Sequence, residues 1–207
     1  MSPQFKKWLR KWTAIFFLVL LVNAAYVWAF AFPTIFYMTN VLFHLGLGTV
    51  LFVVLTYLVV RDQALRNRIA SAFGFFLIAF LLGAYLTGAG NTLDHRWALW
   101  SHIAAGVVGT LALVPYVWRR ARLEGGNWLQ FRNALVACIG LLLVLPASVA
   151  MYRKAFPSPE DRIRNPLNAP LAMSEEGGGP KSPFFPSSAY GRTTARRRAR
   201  RRGPPRK

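Results

Sequence analysis

Five apolar runs, at about 12–32, 39–60, 69–88, 98–118 and 133–151, dominate this chain and leave it few folds to choose from. Each is about twenty residues long, enough to cross a hydrocarbon core of about 30 Å as a helix rising about 1.5 Å per residue. A helix satisfies its own backbone polar groups, as lipid requires. The expected class is therefore an all-α membrane protein. Its first four spans form a bundle of two similar two-helix hairpins, and a fifth transmembrane helix and a disordered tail follow. The basic start resembles a secretory signal, but a signal's apolar core is about 7–15 residues. The first run is longer and lacks a small-x-small cleavage site, so a retained span is expected.

The formal charge of +19 would suggest a nucleic-acid partner if it lay on one face. It lies instead between the spans and in the last sixteen residues. Residues 1–11 carry Lys6, Lys7, Arg10 and Lys11; residues 61–68 carry Arg61, Arg66 and Arg68; residues 119–132 carry Arg119, Arg120, Arg122 and Arg132. The loops of the other parity, about 33–39 and 89–97, carry only Arg96. The positive-inside rule then predicts a cytoplasmic N-terminus and, after five spans, a tail on the outer face. An outer-face tail argues against nucleic acid as its target. Trp8, Trp12, Trp97, Trp100, Trp118 and Trp128 fall near span ends, as an interfacial aromatic belt does. The expected segments are a basic N-terminus at 1–11, a four-helix bundle at 12–118, a cytoplasmic loop at 119–132, a fifth span at 133–151 and a Pro/Gly/Arg-rich extracytoplasmic tail at 152–207.

Two histidines sit at matched places. His44 and His102 are fifty-eight residues apart, each with a glycine four residues on, Gly48 and Gly106, and each run ends at an arginine seventeen residues after the histidine, Arg61 and Arg119. The same shift lays Arg10 on Arg68, so spans one and two match spans three and four as an internal repeat. Spans two and four run in the same direction, so their histidines lie at one height. An imidazole is costly inside a membrane and marks a candidate site. Two neutral imidazoles facing each other in a four-helix bundle suit the axial positions of one haem b. Gly48 and Gly106 lie one turn along the same faces, and Gly46 and Gly109 are expected to add room for a porphyrin. Arg96, in an outer loop, is the candidate partner of a haem propionate.

The residues leave other readings open. A membrane histidine can simply hydrogen-bond across helices, and glycines pack helices without any cofactor. His95, seven residues before His102, could complete a zinc or copper site with the other two, contact a quinone or a propionate, or be the real partner of His44. No Asp or Glu lies in the middle third of any span, so a carboxylate-based pump or ion-coupled transporter lacks its usual parts. Asp94 beside His95 could take quinol protons or be a solvated loop residue. The single cysteine, Cys138, excludes an intrachain disulfide and reads as packing; no Cys-x-x-Cys-His is present for covalent haem. Three histidines ligate one bis-histidine haem, not two, so this chain alone carries no two-haem wire across the membrane.

The paired histidines in a four-helix bundle resemble the membrane cytochrome b superfamily, including the haem-carrying anchor subunits of bacterial respiratory oxidoreductases, over about residues 10–120. The stretch 165–189, beginning Asn165-Pro166-Leu167-Asn168, resembles the linker leading from a membrane domain into a periplasmic multihaem c-type cytochrome. These resemblances imply a bacterial inner-membrane protein that exchanges electrons between a quinone pool and an outer-face cytochrome, with respiratory partner subunits. The arginine-rich run from Arg192 departs from that pattern. It is what an altered or frame-shifted end would give, which reading the adjacent DNA in all frames for Cys-x-x-Cys-His would test. A cofactor-free membrane anchor or assembly subunit that recruits a periplasmic partner is the alternative.

Overall fold

The computed structural model describes residues 3–32 and 34–157, so the expectations placed on the tail beyond 157 lie outside the described residues. Five helices follow one another: α1 (Pro3–Ala29), α2 (Ile35–Arg61), α3 (Gln63–Ala89), α4 (Arg96–Glu124) and α5 (Gly126–Ala155). All five are long and apolar enough to cross a membrane. The chain divides into two compact units, Met1–Ala150 and Met151–Lys207; of the second, residues 151–157 are described, and 151–155 finish α5.

The helices overrun the apolar runs. Residues 63–68 already belong to α3, whose backbone breaks at Ile69 (φ −122°, ψ 17°), where the apolar run begins. Residues 119–124 continue α4, and 126–132 open α5. Arg, Leu, Gln and Glu are good helix formers, so the helix outlasts the hydrophobicity. The break between α4 and α5 falls at Gly125 and Gly126, with φ of 61° and 46°. Glycine occupies this left-handed region without the Cβ clash other residues meet.

Asp62 separates α2 from α3. Its backbone N–H bonds Leu58 O and finishes α2, while Oδ1 accepts from the Leu65 N–H and caps α3. Its carboxylate also pairs with Arg10 of α1, drawing the starts of α1 and α3 together. At the other end, Thr34 Oγ1 accepts from the Tyr37 N–H and caps α2.

The interior is built from small side chains. Ala72 and Ala79 of α3 and Ala98, Ala105 and Gly109 of α4 are buried, so the two backbones approach closely. Phe75 and Phe76 fill the space at Gly109, where a Cβ would lie 2.9 Å from the Phe76 ring. One apolar cluster joins Leu21 and Ala25 of α1, Val117 of α4 and Leu135 and Leu142 of α5. Another joins Val59 of α2 to Ile69 and Ala72 of α3, with Tyr116 of α4 against it. Cys138 packs beside the first cluster. Large apolar side chains face outward instead: Val53, Val60, Leu81 and Val144 are each 57–67% exposed. Water would penalise that surface, and lipid tails solvate it.

Candidate functional site: a histidine pair inside the bundle

His44 lies nine residues past Ile35, about 13 Å along α2, and His102 six residues past Arg96, about 9 Å along α4. Both are half-buried, and their imidazole centroids are 6.2 Å apart, with planes inclined at 74°. The two helices thus bring the two sequence candidates together.

Each ring is held by an acceptor. His102 Nδ1 lies 2.7 Å from the backbone oxygen of Ala79. A carbonyl oxygen only accepts, so His102 carries its proton on Nδ1 and keeps the lone pair on Nε2. Gly83 makes this contact possible. A Cβ there would stand 3.2 Å from Cε1 and 3.3 Å from Nδ1 of His102. Without it, the Ala79 carbonyl one turn earlier is open to a second donor from α4.

His44 is held by a longer chain of bonds, and that chain has a fixed polarity. Asn40 Nδ2 donates to the Phe36 backbone oxygen at 2.8 Å. Its Oδ1 is thereby turned to accept from Asn23 Nδ2 at 3.0 Å. Asn23 Oδ1 is then the acceptor facing His44 Nδ1 at 3.2 Å. His44 therefore also donates from Nδ1 and keeps its Nε2 lone pair. Sequence reading missed Asn23 and Asn40. Asn23 is 7% exposed, one of two buried polar residues among the described ones. The available signal was an amide within an apolar run, which lipid tolerates only when it is bonded.

The glycines divide into kinds. A Cβ at Gly48 or Gly106 would meet nothing within 4 Å, so space lies open one turn beyond each histidine. Gly109 adds no room, because Phe75 and Phe76 occupy it. Gly46 is exposed, about 200° around α2 from His44, and borders a different face.

His95 precedes the first turn of α4 rather than lying within it. Its Nδ1 is 2.9 Å from Thr92 Oγ1, and its ring packs edge-on against Tyr85 at 5.6 Å. Arg96 begins α4 and is exposed, as is Asp94. Among the described residues no three His, Cys, Asp or Glu side chains gather as a multi-donor metal site. The histidine pair is a two-donor arrangement.

Comparison with known proteins gives no match to a family model, a curated protein or a solved structure, so the site stands on its own geometry as part of a multi-pass helical membrane protein.

Proposed function

We propose that this protein is a membrane electron-transfer protein holding one b-type haem between His44 and His102, close to the end of the bundle opposite its arginine-rich end. The observation that carries the reading is the imidazole pair, with each Nδ1 facing an acceptor and, among the described residues, no hydrogen-bond partner at either Nε2. With metal–nitrogen bonds of about 2.0–2.1 Å and a centroid about 1.1 Å behind each Nε2, two imidazoles on opposite sides of one ion, in line with it, would have centroids about 6.3 Å apart. The observed 6.2 Å matches that span. An Nδ1–H bonded to a carbonyl is the usual outer support of a metal-bound histidine, fixing its tautomer and raising its basicity. The open sides of Gly48 and Gly106 suit a flat macrocycle beside each ligand.

A bound haem would supply one-electron chemistry. The chain's own residues would set its conditions. Asn23 and the Ala79 carbonyl orient the ligands, and the surrounding apolar helices keep bulk water from them. Arg96, exposed at the head of α4, would be the partner of a propionate. Quinone would be the electron partner on the membrane side, and a c-type cytochrome or respiratory subunit the partner at the outer face. In this reading the membrane is a bacterial inner membrane, with the N-terminus cytoplasmic and the C-terminal tail periplasmic.

The same hydrogen bonds favour one second reading. His44–Asn23 and His102–Ala79 already tie α2 to α1 and α4 to α3 without any ligand. That is the inventory of a cofactor-free anchor or assembly subunit. Spectroscopy separates the two. Detergent-purified protein from a haem-replete host is expected to give a b-type reduced-minus-oxidised spectrum and, by pyridine haemochrome, about one haem per chain. His44→Ala and His102→Ala are each expected to abolish it while the protein still inserts. A colourless wild type, or a normal spectrum in both variants, would sink the haem reading.

A further inference from the structure

The arginine-rich end of the bundle carries a feature that the histidine pair does not use. A cavity of about 300 Å³ opens there, lined by Pro115, Trp118, Arg119, Arg122 and Leu123 of α4. Arg132 reaches across from α5, its guanidinium 4.9 Å from the Trp118 ring centroid. Arg119 and Arg122 are exposed, and neither has an ion-pairing carboxylate among the described residues. Arg120, between them in sequence, differs: it pairs with Glu124 and lies over Tyr116 and Trp128. The cavity therefore presents two guanidiniums with uncompensated charge beside an indole, where α4 leaves its apolar run.

The same face continues downward as an apolar track. Leu111 and Val108 follow Pro115 at helical spacing and are 46% and 40% exposed. A ligand that fits both parts has an anionic head and a hydrocarbon chain. We propose that this cavity is a binding site for an anionic phospholipid. The phosphodiester would lie between Arg119 and Arg122, the glycerol backbone against Trp118, and an acyl chain along Pro115, Leu111 and Val108. Guanidinium forks match phosphate oxygens in pairs, and basic recesses at helix ends attract anionic headgroups. A zwitterionic headgroup brings its own cation to the arginines and is disfavoured. A free phosphate leaves the apolar track empty. The proposal is independent of whether the histidines bind haem.

The test titrates phosphatidylglycerol, phosphatidylcholine or inorganic phosphate into detergent-solubilised full-length protein and counts bound lipid by native mass spectrometry. Phosphatidylglycerol is expected to bind in preference to phosphatidylcholine and to resist displacement by phosphate. Arg119→Gln with Arg122→Gln should weaken it about thirty-fold, and Arg122→Gln alone about five-fold. Arg66→Gln with Arg68→Gln removes two exposed charges from α3 at the same end and should change it less than about three-fold. Equal losses in the two double variants would show general charge attraction and overturn the site. Equal binding of the two lipids, or displacement by phosphate at matching concentration, would overturn the lipid assignment.

Discussion

Replacing Asn23 with alanine tests the polar chain that the histidine pair depends on. Asn23 is 7% exposed and joins two partners, accepting from His44 and donating to Asn40. The substitution removes both bonds and leaves the His44 Nδ1–H and the Asn40 Oδ1 without them in an apolar interior. Inter-helix hydrogen bonds in membranes average about 0.6 kcal/mol and reach about 1.7 kcal/mol. Two of them put the loss at about 1–3 kcal/mol, a factor of about 5–150 in the folded fraction. Reversible unfolding in mixed detergent micelles reads this loss. A double-mutant cycle with His44→Ala isolates the single bond and is expected to give a coupling of about 0.6–1.7 kcal/mol. An Asn40→Ala cycle should show a similar coupling to Asn23. If both couplings fall within about 0.3 kcal/mol of zero, the chain from Phe36 to His44 does not exist in the membrane. The argument that His44 keeps a free Nε2 would then fail with it. If haem binds, Asn23→Ala should also raise its midpoint potential or lower its occupancy, because the ligand loses the acceptor that raises its basicity and orients it.

Two glycine substitutions of one kind should give opposite results. Gly109→Ala drives a methyl to 2.9 Å from Phe76 and should destabilise the protein by about 1–3 kcal/mol in the same unfolding assay. Gly106→Ala meets nothing within 4 Å and should be neutral or stabilising, by up to about 1 kcal/mol of helix propensity, yet lower haem occupancy. Matching stabilities for the two variants would contradict the packing described here. At the bundle's other end, Asp62→Ala removes the α3 cap and the Arg10 partner and should cost about 1–2 kcal/mol. Asp62→Asn keeps a capping oxygen, so its cost should be smaller by at least half, which the same assay reads.

Five spans and the intramembrane histidines were legible in the sequence because lipid makes the rule local. Each twenty-residue window must be apolar and helical whatever its neighbours do. His44 and His102 stood out for the same reason: polar groups are scarce there and easily seen. Helix ends were less legible. Hydropathy marks where the apolar run stops, while α2 runs on through Arg61, α3 already starts at Gln63, and α4 continues to Glu124 before Gly125 ends it.

What holds the histidines could not be read from spacing. Asn23 and Ala79 precede His44 and His102 by unequal distances, and one offers an amide where the other offers a backbone oxygen. Gly83 and Gly109 look alike in sequence, yet one clears a path to a carbonyl and the other receives phenylalanine rings. Hydropathy is a property of one segment against its solvent, so the sequence alone determined that five apolar segments, each long enough to cross a membrane as a helix, lie among the described residues. Which faces meet is a property of pairs of helices in three dimensions. Only the tertiary structure decided that these two imidazoles adjoin, which nitrogen each leaves free, and which glycines open space rather than fill it.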